Sequence, residues 1–366
     1  DWSSDVCSSD LKFLDLINKE IYFNNGQNST IMSTNEEEEA PDDVQVEEQN
    51  KNHFKITDEM HVKLEGLKEL LGSTQIGDLK EDEEIKEICS ARTTDYAGKI
   101  FEKMGEANVS CVPLYNARTK KPEMLVDYLD FLAFWAESKQ EGSGMDLRND
   151  KLFTHVRCKQ VANMSTINQL VTVREYDSLG TVITLMVSKR VHRVCIVDKM
   201  GKVQQFTTQS DILKFISENL DYLGTIGEMP LSAMKIHTPM VKTVLTTDKL
   251  YKAFSVMVAK KFLGVPVVND KGILMGELTC RDIRLIGLEG SLFLKLLAPV
   301  DDLISSTKEH KYKVLTKAKF SDTFEDIIVS LADNRNRKVL IVDDSNALLS
   351  VITLTDIMKV FAAILS

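Results

Sequence analysis

The spacing of hydrophobic residues changes along the middle of the chain, and each type of spacing predicts a helix, a strand or a turn. Between residues 178 and 189 they recur every three or four positions, as on one face of a helix, at Leu179, Val182, Ile183, Met186 and Val187. The apolar run at residues 194–197 predicts a buried strand, and residues 198–202, with Gly201, predict a hairpin turn. A second helix is expected at residues 212–216. Together they predict a unit of strand, helix, strand, strand and helix.

This unit recurs in a fixed register, which four anchor positions define. They are the first core residue of a helix, the first residue of an apolar strand, and a closing Thr and Asp. The anchors are Leu179, Val194, Thr208 and Asp211 in repeat two, Leu250, Val265, Thr279 and Asp282 in repeat three, and Phe324, Val339, Thr353 and Asp356 in repeat four. Their spacings are 15, 14 and 3 in all three copies. A single Thr-x-x-Asp is a weak signal, but copies in constant register indicate a true internal repeat.

Repeat one is the divergent copy. Its anchors are spaced 15, 15 and 3, so one residue is inserted in the hairpin around Lys120 and Asp replaces the closing Thr; they are Ala97, Val112, Asp127 and Asp130. We assign the four repeats to residues 56–145, 150–222, 228–292 and 297–366. The short run GTIG at residues 224–227 is interpreted as the link between the second and third repeats.

The first 55 residues lack this periodicity. Eight carboxylates lie between residues 35 and 50, which predicts a disordered acidic tail. The alternative is that the acidic run docks on a basic partner. The chain opens without Met, and Met32 is a natural start, so we interpret residues 1–31 as upstream translation instead of native protein. A helix is predicted over residues 58–71.

The amino-acid composition argues against several classes of function. The chain has 366 residues, of which 43% are hydrophobic and 27% charged, as in globular proteins. Its formal net charge of −10 argues against a nucleic-acid binder, which would need clustered Lys and Arg. The six cysteines form no CxxC pair, and Cys111 and Cys195 lie in apolar runs, which favours a reducing compartment. No apolar run reaches the length of a membrane span and no signal peptide is recognised, so cytosol or nucleus is expected.

The repeated unit, ending on apolar-x-Thr-x-x-Asp before a helix, resembles the CBS domain. The resemblance covers roughly residues 73–366 and implies an α/β fold of four tandem repeats. Repeats one and two would pair into one Bateman module and repeats three and four into another. The two modules would form a flat pseudo-symmetric disc. With no attached enzyme or channel segment, the chain looks most like the gamma subunit of AMP-activated and sucrose-non-fermenting type kinases. The runs at residues 107–116 (ANVSCVPLYN) and 190–198 (RVHRVCIVD) carry this similarity.

The chain departs from the gamma pattern at four positions. A basic residue is usual where Ser110 stands, the second repeat usually lacks the acid supplied by Asp211, and His-Arg is usual where Arg337 and Lys338 stand. The resemblance implies AMP, ADP or ATP as ligand, with no cofactor or metal, and kinase catalytic and beta scaffold subunits as partners. The set of occupied sites is expected to differ from that of the family.

The closing acids are candidate ribose ligands. An Asp at a helix start can accept hydrogen bonds from both ribose hydroxyls, which predicts this role for Asp130, Asp211, Asp282 and Asp356. The alternative is that each Asp, with Thr208, Thr279 or Thr353 three residues earlier, caps its helix. Because a cap needs only one of the two side chains and both recur, ribose contact is favoured. Ser210 and Thr355, inside the same motif, are further candidates.

Other candidates follow from the resemblance. Thr172 and Thr243 lie on the strand that borders the nucleobase in CBS domains, although threonine is also ordinary in strands. Candidate phosphate ligands precede equivalent strands or lie in the closing motif, with a solvated surface charge as the alternative for each: His192, Arg193, Arg281, Arg337 and Lys338.

Catalytic motifs are missing from the sequence. There is no HExxH, GxSxG or Walker loop, so neither a metal site nor a catalytic triad is predicted. Two hypotheses remain: a non-catalytic nucleotide-binding subunit of a kinase, or a stand-alone CBS sensor or scaffold that binds adenosyl ligands or nothing.

Overall fold

The computed structural model describes residues 64–79, 88–138, 153, 155–238, 241–286, 295–307, 314–334 and 336–366. The predicted acidic tail and the suspected non-native segment lie outside these ranges, as do residues 58–63 of the predicted first helix. The described part of that helix is α1, Glu65–Ser73.

Every repeat has the predicted order of elements. Repeat one contains β1 Ala91–Arg92, α2 Ala97–Glu106, β2 Cys111–Tyr115, β3 Pro122–Asp127 and α3 Tyr128–Ser138. After α4 Cys158–Val161, repeat two contains β4 Thr172–Val173, α5 Leu179–Lys189, β5 Arg193–Val197, β6 Val203–Thr208 and α6 Gln209–Ser217.

The second half of the chain repeats this arrangement. After α7 Leu231–Met234, repeat three contains β7 Val244–Leu245, α8 Leu250–Lys260, β8 Gly264–Val268, β9 Leu274–Thr279 and α9 Ile283–Ile286. After α10 Val300–Ser306, repeat four contains β10 Lys317–Ala318, α11 Phe324–Asn334, β11 Lys338–Val342, β12 Leu348–Thr353 and α12 Leu354–Leu365. In each repeat the first strand runs parallel to the second, and the third is antiparallel to the second.

The anchor register is confirmed. The four helix anchors each begin a helix and are at most 2% exposed: Ala97, Leu179, Leu250 and Phe324. The four strand anchors each occupy the second position of a strand and are 0% exposed: Val112, Val194, Val265 and Val339. Burying a large aliphatic or aromatic side chain stabilises a fold by roughly 1.5–3 kcal/mol, so these positions fix the register of each unit.

The hairpins explain the extra residue of repeat one. In repeat two the Gly201 N–H donates to the Asp198 carbonyl, and Gly201 has φ +82°, which suits glycine. In repeat one the closing bond runs from the Asn116 N–H to the Lys121 carbonyl, with Lys120 at φ +59°. The loop is one residue longer, as the spacing predicted.

The sheets pair repeats one with two and three with four. Cys111 and Leu125 of repeat one pack in one apolar cluster with Cys195, Val197 and Val203 of repeat two. The corresponding cluster between repeats three and four consists of Leu274, Leu340, Val342 and Val351. The predicted Bateman pairing is confirmed.

The helices join the two modules. One apolar core contains the helices of repeats two and four, where α5 packs on α12 and α6 on α11. The other core contains the helices of repeats one and three, where α3 packs on α8. In the first core, the first helix of each repeat packs on the second helix of the other repeat. This reciprocal packing places a pseudo-two-fold axis between the modules.

The segment that precedes each repeat packs on the other repeat of its module. Residues 64–79, ahead of repeat one, bond to repeat two, where the Ile76 N–H donates to the Asp177 carbonyl. Residues 155–161, ahead of repeat two, bond to repeat one, where the Ala97 N–H donates to the Val156 carbonyl. The second module has the same exchange, through Phe324 N–H to Met229 carbonyl and Leu250 N–H to Ala298 carbonyl. We call these the exchanged segments.

The cysteines behave as small apolar residues. The five within the described ranges are unpaired, and all but Cys89 are buried. Burial raises the pKa of Cys111 to about 11 and that of Cys195 to about 12. Among the helices that the structure describes, none has the length and apolar character to cross a membrane.

Candidate functional site

A cleft of about 1440 Å³ lies at repeat two. Its walls include the closing motif of that repeat, with Thr208, Ser210 and Asp211, and Arg337 from repeat four. Arg337, distant in sequence from the other three, therefore lines the same cleft, which has residues of both modules in its walls.

The two carboxylate oxygens of Asp211 differ in their hydrogen bonds. Its Oδ2 accepts hydrogen bonds from the Thr208 N–H at 2.7 Å and the Thr208 hydroxyl at 2.9 Å. In the part of the chain that the structure describes, Oδ1 accepts none, and Asp211 is exposed. A ligand hydroxyl could therefore bond to Oδ1 while the cap stays intact.

The same reciprocal cap closes repeats three and four. The Asp282 Oδ2 accepts from the Thr279 N–H at 2.6 Å and the Thr279 hydroxyl at 2.8 Å. The Asp356 Oδ2 accepts from the Thr353 N–H at 3.0 Å and the Thr353 hydroxyl at 2.6 Å. A capping box uses both side chains, so their joint recurrence does not by itself favour ribose contact, and that sequence argument was wrong.

Asp130 differs from the other closing acids because it is 0% exposed. Its Oδ1 accepts from the Ser165 N–H at 2.9 Å and the Ser165 hydroxyl at 2.6 Å. Its Oδ2 accepts from the Asn168 amide at 2.8 Å and the Asp127 N–H at 3.0 Å. Both oxygens are occupied by protein donors, so the geometry favours the structural alternative here and leaves a ribose no free acceptor.

Burial also sets the charge state of Asp130. Burial, with the neighbouring Asp127 carboxylate, raises its pKa to about 7. The donors from Ser165 act in the opposite direction, since they stabilise the ionised form.

Two of the predicted cations are held in ion pairs between repeats. Arg193 is 9% exposed, and its Nη2 lies 3.7 Å from the Asp127 Oδ2. The Lys338 Nζ lies 2.7 Å from the Glu277 Oε1 and donates to the Gly264 carbonyl at 2.9 Å. Each pair joins the two repeats of one module, so these cations stabilise the module, and their phosphate role stays a prediction.

Two other candidates, His192 and Thr355, are not among the residues that line the cleft. Burial, then the charges of Arg193 and Arg337, lower the pKa of His192 to about 4, so His192 is neutral at pH 7. Thr355 of repeat four hydrogen-bonds to the Gln209 amide of repeat two at 3.3 Å, where the starts of α12 and α6 face each other.

Neither Thr172 nor Thr243 is among the residues that line the cleft. Thr172 lines a neighbouring cavity of about 380 Å³ that shares Arg174, Lys199 and Met200 with the main cleft. Thr243, at the equivalent position of repeat three, immediately precedes β7 and is half-buried. Contact with a base stays a prediction for both.

Sequence reasoning missed part of the cleft wall. Tyr176, 63% exposed, and Met200, 85% exposed, contribute apolar surface, and Arg174 and Lys214 contribute charge. Met200 carried a detectable signal, because an apolar side chain in a polar hairpin turn has no local reason to be there. Among the described residues, no group of three His, Cys, Asp or Glu is placed to hold a metal ion.

The profile of the CBS domain matches residues 158–218 and 233–288, which are repeats two and three. Repeats two and three are therefore CBS domains. Repeats one and four have the same order of strands and helices.

Relatives cover most of this chain. An uncharacterized protein of Methanocaldococcus jannaschii, MJ1225, is 23% identical over 285 residues, 76% of this chain and 96% of that protein. Its crystal structure, presented as that of a candidate archaeal homologue of g-AMPK, superposes with a TM-score of 0.60 at 18% identity, over 79% of this chain and all of that one. This likeness shows the fold.

The resemblance to kinase gamma subunits is also present in sequence. The AMP-activated protein kinase subunit gamma of Kluyveromyces lactis is 22% identical over 279 residues, 69% of this chain and 78% of that subunit. By contrast, the match to inosine-5'-monophosphate dehydrogenase of Methanocaldococcus jannaschii, 31% identical, spans 119 residues and only 21% of that enzyme. The chain therefore resembles gamma subunits along most of its length and the enzyme only in part.

Proposed function

We propose that this protein is a non-catalytic regulatory subunit that binds AMP, ADP or ATP in the repeat two cleft and reports its occupancy to a protein kinase. The meeting of Asp211 with Arg337 in one cleft carries the proposal. A nucleotide needs an acceptor for its ribose hydroxyls and a cation for its phosphates, and this cleft supplies one of each.

The remaining groups of the cleft suit the rest of the ligand. The Oδ1 of Asp211 accepts from the ribose, the guanidinium of Arg337 donates to a phosphate, and Tyr176 and Met200 offer apolar surface to the base. Arg337 belongs to the module opposite Asp211, so a bound nucleotide bridges the modules. Since a ligand stabilises only the state that binds it, occupancy favours one relative placement of the modules.

Calorimetric titration of AMP, ADP and ATP tests the binding part. Asp211→Asn keeps the cap but weakens the charge-assisted bond, which is worth roughly 1.5–3 kcal/mol, so affinity should fall by about 10-fold or more. Arg337→Gln should have a similar effect. Arg118→Gln, which removes an exposed charge from the hairpin of repeat one, is the matched control and should bind like wild type. Unchanged affinity in both cleft variants would remove the nucleotide from this cleft.

Co-purification tests the kinase part separately. Its support is the similarity to kinase gamma subunits along most of the chain. The tagged full-length protein should bring down a kinase catalytic chain and a beta scaffold subunit. Recovery of the protein alone, with nucleotide binding intact, would instead favour the stand-alone sensor.

A further inference from the structure

The hairpin loops of repeats one and two carry a cluster of exposed cations. The loop of repeat one spans residues 116–121 and that of repeat two spans residues 198–202. The loops lie side by side, because the Tyr115 hydroxyl accepts from the Val203 N–H at 3.1 Å and both loops line the cavity of about 380 Å³. We call this surface the basic tip, and its five exposed cations are Arg118, Lys120, Lys121, Lys199 and Lys202.

The acids beside these cations are engaged by neutral donors. Asp198, the one acid in the two loops, accepts from the Met200 N–H at 2.9 Å and the Lys202 N–H at 2.8 Å. Glu123, just beyond the first loop, accepts from the Asn116 amide at 3.1 Å. In the described part of the chain, none of the five cations forms an ion pair. Like charges that share a surface repel each other, so the basic tip does not stabilise the fold.

The fold does not require these cations, as the other module shows. The corresponding hairpin loops of repeats three and four contain one cation, Lys271, and three acids: Asp270, Asp343 and Asp344. All four hairpins close by a backbone hydrogen bond beside a residue of positive φ, which sets no requirement on the charge of the loop. Five unpaired cations on a chain of net charge −10 therefore indicate that the basic tip recognises an anionic partner.

The same chain supplies an anion of matching composition. Residues 36–48 carry eight carboxylates, with Val44 and Val46 between them. On the basic tip, Met200 is 85% exposed and adds an apolar side chain to the five cations. Both surfaces thus combine charges of one sign with a small apolar contribution, and the two signs are opposite.

The connection between the two is long enough. Fifteen residues separate Glu48 from Leu64, which packs in the core of repeats two and four. At about 3.3 Å per residue they span up to roughly 50 Å, whereas one repeat is only about 25 Å across. A segment tethered in this way meets its target at an effective concentration in the millimolar range, so it reaches the basic tip ahead of anions from solution.

We propose that the acidic run at residues 36–48 docks on the basic tip of its own chain. Docking pairs the cations with carboxylates and brings Val44 and Val46 to the apolar side chain of Met200. An anionic lipid surface carries the same sign of charge, but it would repel the rest of a chain whose net charge is −10. The acidic run is therefore the occupant that the charges favour.

Zero-length cross-linking of the full chain tests this contact. A carbodiimide joins a carboxylate to a lysine amine only where the two touch, so peptide mapping should recover links from residues 36–48 to lysines of the basic tip. Lys271, exposed in the corresponding loop of repeat three, is the internal control and should not link to the run. In 1 M NaCl, where charges act over only about 3 Å, the yield of these links should fall by about 5-fold or more.

Two double variants give a matched comparison. Arg118→Glu with Lys202→Glu reverses one charge in each loop of the basic tip, and neither side chain lines the repeat two cleft. Lys271→Glu with Lys317→Glu makes the same change of net charge in the other module. An exposed ion pair contributes a factor of roughly 1.5–5, so a Glu-specific protease should cleave at residues 36–39 about 3-fold faster or more in the first variant than in the wild type. The second variant should match the wild type, and circular dichroism checks the folding of both.

The expected result is a set of links to the basic tip in a product with the mass of one chain, together with faster cleavage in the first variant alone. Absence of links, equal linking to Lys271, or equal cleavage in both double variants overturns the proposal. A cross-linked product of two chains would assign the basic tip to a second copy and overturn docking within one chain. Flotation of the wild type with vesicles of phosphatidylserine and phosphatidylcholine, in the absence of links, would assign the tip to a lipid surface and overturn it as well.

Discussion

The buried closing acid of repeat one gives a sharp test of the structure. Asp130→Asn replaces one carboxylate oxygen by an amide that donates. Each oxygen of Asp130 accepts two bonds, from Ser165 on one side and from Asn168 and Asp127 on the other. If the new amide faces Ser165, the Ser165 N–H loses its acceptor, although the Ser165 hydroxyl can turn and accept from the amide. If it faces the other side, the Asn168 amide and the Asp127 N–H both lose their acceptor.

The magnitude follows from the donors that lose their acceptor, at least one in either orientation. Leaving a buried donor without an acceptor costs roughly 1–3 kcal/mol, so Asp130→Asn should lower the free energy of unfolding by about 1–3 kcal/mol. Asp211→Asn is the matched control, because it makes the same change at the same motif position on the surface. In Asp211→Asn the amide oxygen can accept both hydrogen bonds from Thr208. The free energy of unfolding should therefore change by no more than about 0.5 kcal/mol.

Urea unfolding followed by circular dichroism measures both variants at pH 5 and at pH 8. The folded-state pKa of Asp130, raised to about 7 by burial and Asp127, lies above that of the unfolded chain. The contribution of this group to stability is therefore complete below pH ~4 and falls as the pH rises to about 7. Because the Asn variant does not titrate at this position, its loss of stability relative to the wild type should be larger at pH 5 than at pH 8. A loss below about 1 kcal/mol at pH 5 for Asp130→Asn would refute the buried network.

Two further predictions concern buried titratable groups. The folded-state pKa of His192, about 4, lies below that of the unfolded chain, so its contribution to stability is lost as the pH falls below about 6.5. Between pH 7 and 5 the wild type should lose up to about 2 kcal/mol more than His192→Asn, and equal pH slopes of their unfolding free energies would contradict this. In native protein, a thiol reagent at pH 8 should modify the half-buried Cys89 well before Cys111 or Cys195, whose burial raises their pKa to about 11 and about 12. Peptide mass mapping after brief labelling checks the order, and early labelling of Cys195 would contradict it.

The spacing of apolar residues predicted the order of helices and strands in each repeat, because burial requires apolar side chains at those positions. Leu179 and Val194 occupy their positions since a helix face and a strand core both demand apolar side chains at set spacings. The longer hairpin of repeat one was likewise predicted from spacing alone. Such signals are contained within one repeat, so one sequence suffices to see them.

The details of the site depend on contacts between repeats, which spacing does not encode. Ser165 and Asn168, which occupy Asp130, lie in a connecting stretch without a motif. Arg284 occupies a position that is apolar in repeat two, and its hydrogen bond to Asn108 of repeat one is a contact between repeats that the spacing does not predict. The recurrence of Thr with Asp misled the sequence argument because a reciprocal cap requires the same pair as ribose recognition would.

The exchanged segments have a consequence for synthesis on the ribosome. Helix α1 leaves the tunnel with Leu67 and Leu71 uncovered, and the helix that buries them, α5, begins more than 100 residues later. At roughly 5–20 residues per second, this apolar face waits on the order of 5–20 s for its partner. The nascent chain thus passes through an interval in which α1 lacks the repeat that buries it, and folding proceeds two repeats at a time. Shielding by a chaperone during that interval, or a pause after repeat two has emerged, would raise the yield of folded protein.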